Sequence, residues 1–147
     1  MSLRTAAALS LATLSLGAQA NCNISVDASD AMKYSTNTLS VPSSCKEVTL
    51  TLNHTGSLPA AAMGHNVVIT KTADLQPVAT EGMSAGLANN YVKPGDQRVL
   101  AHTKIVGGGE STKVTFSTAN MKAGGDYSFF CSFPGHWAIM KGKFEFK

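Results

Sequence analysis

Cys131-Ser132-Phe133-Pro134-Gly135-His136-Trp137-Ala138-Ile139-Met140 sets a thiol, an imidazole and a thioether within ten residues. Upstream, Tyr127-Ser128-Phe129-Phe130 is strand-like and runs straight into Cys131. Downstream, Lys141-Gly142-Lys143-Phe144-Glu145-Phe146-Lys147 alternates charged with aromatic residues and reads as a final strand. Phe133-Pro134-Gly135 forces a turn between them. The stretch is thus a loop joining two adjacent strands, and it points three donors at one spot. A second imidazole waits in Met63-Gly64-His65-Asn66, where Gly64 lets the backbone come close. Two neutral nitrogens, one soft thiolate and one weak thioether are the donors of a mononuclear electron-transfer copper. His65, Cys131, His136 and Met140 are the candidate ligands, and the Gly64 carbonyl is a candidate distant fifth donor. A lone His is ordinarily a surface or hydrogen-bonded core residue, and a lone Met is ordinarily core. It is the combination of Cys-x4-His-x3-Met with Gly-His-Asn upstream that selects a metal.

The rest of the chain supplies more strands. Val48, Leu50 and Leu52 alternate with polar residues, as do Val114 and Phe116. Val67-Val68-Ile69 suits a strand covered on both sides, and Val99-Leu100-Ala101 is a weaker candidate. Turns such as Gly107-Gly108-Gly109 and Gly124-Gly125 separate them, the pattern of an all-β sandwich or barrel. From Asp74 to Leu87 the pattern changes. Asp74 is a candidate N-cap, and Leu75, Val78, Met83 and Leu87 have irregular helical spacing, interrupted by Pro77 and Gly82. This predicts a short inserted helix or flap.

Residues 1–20 read as a secretory leader: a basic start at Arg4, a small and apolar run from Ala6 to Leu16, and Ala18-Gln19-Ala20 before the cut. The apolar run is too short to span a membrane. Residues 21–147 then form a single domain. Lipid attachment at Cys22 is disfavoured, because Asn21 stands where a small residue is needed, so no membrane anchor is expected. Without Arg4 the net charge is near +2, and no basic run or aromatic-basic interleaving marks a nucleic-acid surface. Three cysteines in an exported chain leave one over. Pairing Cys22 with Cys45 closes a loop of about 24 residues, worth roughly 3 kcal/mol on the chain-entropy model. Cys131 is then the free thiol, and a bound metal explains its survival under oxidising conditions.

On these residues the chain resembles the azurins, blue copper proteins of the cupredoxin family, over essentially all of residues 21–147. The likeness runs through Cys22 and Cys45, Asn53-His54-Thr55-Gly56-Ser57-Leu58-Pro59, Met63-Gly64-His65-Asn66, Glu81-Gly82-Met83, Ala101-His102-Thr103-Lys104 and the Cys131–Met140 loop. The resemblance implies a Greek-key β-sandwich of about eight strands with one copper at one end. It implies His65, Cys131 and His136 as equatorial ligands, Met140 as the axial ligand and the Gly64 carbonyl weakly opposite. Asn66 would tie the ligand loops together, and the Phe133 backbone N–H would stabilise the thiolate. Where some family members carry a core tryptophan two residues after the first ligand histidine, this chain has Val67. Its only tryptophan, Trp137, lies in the ligand loop.

The function implied is single-electron shuttling in the periplasm, by a monomer. Partners would be redox proteins such as c-type cytochromes, nitrite reductase or amine dehydrogenase. His136 is the expected port, one ring edge on copper and the other toward solvent. Leu58, Met63, Met83, Phe133, Pro134 and Ala138 are expected around it as an apolar patch. His54 and His102 are candidates for coupling pH to redox state, weighed against a satisfied core His54 and a solvated His102. Copper storage or delivery is the alternative, although a thiolate flanked by aromatics favours a held cofactor. An enzyme of the copper nitrite reductase type needs a second copper with its own histidines. With four histidines, two of them taken, the chain lacks the donors.

Overall fold

In the computed structural model the described residues are 20–147; all but the last residue of the expected leader lies outside them. Alternation of apolar and polar residues builds most of the framework. In β4 (Glu47–His54), Val48, Leu50 and Leu52 are fully buried while Thr49, Thr51 and Asn53 lean outward. Each buried leucine contributes roughly 1.5–3 kcal/mol relative to exposure. β4 pairs parallel with β1 (Asn23–Ser29) and antiparallel with β7 (Ser111–Ser117), and β2 (Lys33–Tyr34) closes the sheet beside β1. The second sheet runs β3 (Thr38–Val41), β9 (Lys141–Phe146), β8 (Tyr127–Phe130), β5 (Val68–Lys71), β6 (Val99–His102). The chain crosses between the sheets at β2–β3, β3–β4, β4–β5, β6–β7 and β7–β8, and stays within one sheet at β1–β2, β5–β6 and β8–β9. The two sheets enclose one core that includes Val26, Leu39, Leu50, Leu52, Ile69, Phe129 and Phe144. The fold is an all-β sandwich, as expected, with nine strands among the described residues because two-residue β2 is counted.

The apolar run at Val67–Ile69 is covered on both sides for a visible reason. Ile69 faces the core between the sheets, whereas Val68 faces a second cluster with Phe130, Leu75, Val78, Ala79 and Val92. Leu75, Val78, Ala79 and Gly82 belong to helix α2 (Leu75–Ala85) and are its buried stripe, at i, i+3, i+4 and i+7. Neither expected interruption breaks this helix. Pro77 sits in the first turn, where the missing N–H has no intrahelical partner anyway. At Gly82 a Cβ would collide with the Tyr91 carbonyl oxygen, so glycine there permits close packing of the following loop. Asp74 occupies the N-cap position but its side chain makes no capping hydrogen bond. Met83 and Leu87 spoil the helical spacing because both point outward, about two-fifths exposed.

The Cys22–Cys45 disulfide fastens the start of β1 to the turn before β4, and Thr118 Oγ1 donates to the Cys45 carbonyl at 2.6 Å. The short elements β2, β3 and α1 (Ala60–Met63) were not expected. No helix among the described residues is long and apolar enough to cross a membrane.

Candidate metal centre

Four segments meet at one end of the sandwich. The first carries His65, just after α1, held by a two-way backbone pairing with Val106 at 3.1 and 2.9 Å. At Gly64 a Cβ would stand 2.6 Å from Ile105 Cγ2, so only glycine lets this segment approach. The second begins where β8 ends, at Cys131. That loop is closed by Cys131 N–H donating to the Met140 carbonyl at 3.0 Å. His136 N–H donates to Phe133 at 2.9 Å, and Met140 N–H donates to His136 at 2.8 Å. The other two segments are the turn Ser29–Asp30 and the loop after α2.

Together these bring one donor atom each of His65, Cys131 and His136 within 4.8 Å of one another, all three residues buried. Cys131 Sγ lies 3.8 Å from His65 Nδ1, 3.6 Å from His136 Nδ1 and 3.9 Å from the Gly64 carbonyl oxygen. Metal–nitrogen and metal–sulfur bonds of about 2.0 and 2.3 Å in a trigonal arrangement put those atoms about 3.7 Å apart. The donor set and its spacing therefore fit a trigonal copper. Met140 is fully buried at the far end of the loop.

The protonation states suit the same reading. His65 Nε2 lies 2.8 Å from the Ser29 carbonyl, to which it donates its N–H, leaving the Nδ1 lone pair toward the sulfur. Burial lowers the pKa of His65, and burial followed by the charge of His65 lowers that of His136 to about 4. Both rings are neutral at neutral pH, as a ligand must be. Burial pushes the Cys131 thiol up to about 12, opposed by hydrogen bonds from the Asn66 and Phe133 backbone N–H groups. Those two donors already face the sulfur, and a bound cation supplies the rest of what a thiolate needs.

Asn66 knits the loops. Its Oδ1 accepts the Ser132 N–H at 2.8 Å, and its Nδ2 donates to Ser132 Oγ at 2.8 Å and to the Asn90 carbonyl at 3.0 Å. Tyr34 Oη donates to the Asn66 carbonyl. Among the described residues no buried side-chain nitrogen or oxygen lacks a partner. Ser29, Tyr34, Asn90 and Ser132 had no role in the sequence reading. Ser132 was visible as the polar neighbour of Cys131, but nothing in the sequence marks the other three.

Two expectations need correction. His136 is only 2 % exposed, so its outer edge is covered rather than presented to solvent. The Phe133 ring packs against it, its centroid 4.5 Å from that of His136. His102 is half-buried, not solvated, with Nδ1 2.9 Å from the Thr103 carbonyl. His54 is indeed a satisfied core residue. Its Nε2 lies 2.8 Å from the Met63 carbonyl, Gly56 N–H donates to its Nδ1 at 3.1 Å, and its ring stacks on His65 at 4.6 Å. Of the expected patch, Leu58, Met83, Pro134 and Ala138 are exposed, and Met63 and Phe133 are half-buried. Ile139, 70 % exposed beside Ala138, was missed.

The chain is similar to known proteins. The family model for copper binding proteins of the plastocyanin/azurin family matches residues 20–147. Azurin of Alcaligenes faecalis is 56% identical over 124 residues, 84% of this chain and 97% of that protein. Azurin of Pseudomonas denitrificans is 54% identical over 128 residues, 87% of this chain and 100% of the other. The solved structure of azurin Az-iso2 from Methylomonas sp. strain J superposes with a TM-score of 0.82 at 46% identity, over 86% of this chain and 98% of its own. This chain belongs to the plastocyanin/azurin family of copper-binding proteins.

Proposed function

We propose that the chain is a type 1 copper protein that carries single electrons, with His65, Cys131 and His136 as equatorial ligands, Met140 as the axial ligand and the Gly64 carbonyl as a weak fifth donor. The observation that carries this reading is the convergence of two neutral imidazole nitrogens and one thiol sulfur in a buried pocket. Copper held there supplies a one-electron couple, Cu(II)/Cu(I). The protein's own residues do the rest. Ser29 fixes the His65 ring through Nε2, Asn66 locks the loop at Ser132, and Phe133 donates its N–H to the sulfur while its ring shields His136. A shell fixed this way rearranges little when charge changes. With only the one group of donor residues among the described residues, the reading is of a carrier and not an enzyme.

Electrons would leave through His136 and the thin cover above it, where Leu58, Met63, Met83, Phe133, Pro134 and Ala138 offer a nearly uncharged surface. Such encounters typically bury less than about 1,200 Å². We place the protein in the periplasm after removal of residues 1–20, as a single domain of residues 21–147 and a monomer. Its partners would be redox proteins such as c-type cytochromes, nitrite reductase or an amine dehydrogenase.

The test is a visible absorption spectrum of the protein titrated with Cu(II), then reduced and reoxidised. An intense blue thiolate-to-copper band that saturates at one metal per chain and bleaches reversibly is expected. Copper bound without that band would remove Cys131 from the ligand plane and put storage or delivery first.

A further inference from the structure

Outside glycine, Met32, Asn90 and Tyr91 have positive φ, and the last two are consecutive, at 56° and 52°. Two adjacent side-chain-bearing residues in the left-handed region cost free energy that the surroundings must offset. What they gain is visible in the contacts. The Asn90 carbonyl accepts from Asn66 Nδ2 at 3.0 Å and from Ser132 Oγ at 3.1 Å. The Asn90 side chain reaches the other way, its Oδ1 accepting the Ile105 N–H at 2.8 Å, one residue before the Val106 pairing that holds His65. Tyr91 then sets its ring edge-on to Phe133, centroids 5.4 Å apart, and Phe133 lies on His136.

We propose that Asn90 is a positioning residue of the metal centre. Its left-handed backbone turns one carbonyl onto the two side chains that join the His65 loop to the Cys131 loop. Asn66 has one amide, and its orientation is decided by who takes its Nδ2 protons. With the Asn90 carbonyl and Ser132 Oγ as acceptors, Oδ1 is left to the Ser132 N–H. Remove the carbonyl and the amide loses one of its two fixed acceptors, and Ser132 Oγ loses the acceptor for its own proton. The peptide following Cys131 is then free to shift, and with it the Phe133 N–H that faces the sulfur. Helix α2 contributes through the close approach at Gly82, which seats the Tyr91 carbonyl against it. The proposal rests on the reading of His65, Cys131 and His136 as the copper ligands, but its linkage can be measured without copper.

Asn90→Gly keeps the left-handed backbone and the carbonyl while deleting the contact to Ile105. Asn90→Val disfavours that backbone and moves the carbonyl; if it does not fold, Asn90→Ala replaces it as a milder form of the same change. Two quantities are read on the full chain: amide hydrogen exchange at Ser132 in the metal-free protein, and the thiolate-to-copper band and reduction potential after loading with Cu(II). In the Val or Ala chain, Ser132 is expected to exchange about tenfold faster, as for a lost hydrogen bond, and the band and potential shift. In the Gly chain Ser132 exchange stays at the wild-type value, while Ile105 exchanges faster. If neither variant moves Ser132 exchange, whatever happens to Tm, Asn90 is only a loop residue. If Gly and Val move it equally, the side chain and not the carbonyl is responsible, and the proposal is wrong. Failure of the blue band in the unaltered chain, with Ser132 exchange still responding to Asn90→Val, would overturn the copper reading and leave the linkage standing.

Discussion

The interior of the metal end and its rim are built on opposite rules. His65, Asn66, Cys131 and Ser132 are at most 1 % exposed and joined by directed hydrogen bonds. In the rim proposed above, Leu58 and Met83 are about two-fifths exposed and Ile139, beside Ala138, is 70 % exposed, and all three side chains are apolar. One region fixes geometry, its hydrogen bonds holding the candidate donor side chains in place. The other demands little of whatever touches it. An electron carrier needs both, because a rigid centre keeps the cost of changing charge low and an undemanding rim lets partners leave quickly. If the division holds, changes inside alter spectrum and stability, and changes at the rim alter only rates.

The largest effect is expected from Cys131→Ser. It should abolish the blue band and weaken copper binding by more than about a hundredfold, the most that loss of a merely supporting residue causes. Copper titration followed by absorption checks it, and a retained band would break the assignment of the interior. Next is Asn66→Leu, which keeps the volume but strands the Ser132 N–H and removes the donor to Asn90. At about 1–3 kcal/mol for each buried group left unpaired, the metal-free chain should lose about 3 kcal/mol in urea unfolding. A rim change such as Ile139→Asn should stay within about 0.5 kcal/mol. Equal losses would mean that the two regions are not distinct.

Burial of the Cys131 thiol gives a pH signature to the interior. A free thiol titrates near about 8.5, whereas in the folded, metal-free chain Cys131 titrates at about 12. Between those values the unfolded chain has lost a proton that the folded chain keeps. Stability from this group is therefore complete below about pH 8.5 and declines toward pH 12, by up to about 1.4 kcal/mol per pH unit. Urea midpoints of the metal-free protein against those of Cys131→Ser isolate the effect. The wild-type midpoint should fall steadily relative to that of Cys131→Ser above about pH 8.5; a constant difference would mean that the thiol is less buried than the structure has it.

How much of this was legible beforehand follows from the range of each interaction. β4, β7 and β9 show in the alternation of their own residues, β8 in its aromatic run into Cys131, and the ligand loop shows because its donors lie within ten residues. His65 was reachable only by the company it keeps in Met63-Gly64-His65-Asn66. Four-residue β3 and two-residue β2 are too short to carry a pattern, and they owe their conformation to pairing with β9 and β1. In α2, Gly82 looked like an interruption because its cause, the Tyr91 carbonyl, lies in the next loop. Asn90 and Tyr34 contact Asn66 from 24 and 32 residues away, through a carbonyl accepting in one case and a hydroxyl donating to a carbonyl in the other. Nothing local distinguishes them from other polar residues. The cover over His136 was misjudged for the same reason, since the sequence puts Phe133 in the loop without saying that its ring folds over the imidazole.

The smallest effect is expected at the rim, and it is the one that tests the comparison most sharply. Met83→Lys places a charge on the outward face of α2, away from every hydrogen bond of the metal shell. When two copies meet to exchange an electron, each brings its own lysine. Two unit charges about 4 Å apart in water repel by about 1 kcal/mol, which slows self-exchange about fivefold. At 1 M salt the screening length falls to about 3 Å and most of the rate should return. The blue band should not move at all. Met63→Lys should slow exchange too, and because Met63 is half-buried it should also cost some stability. Exchange rates from line broadening in mixtures of oxidised and reduced protein give the number. If Met83→Lys shifts the band and leaves exchange intact, Met83 belongs to the support of the shell, and the surface through which electrons pass lies elsewhere.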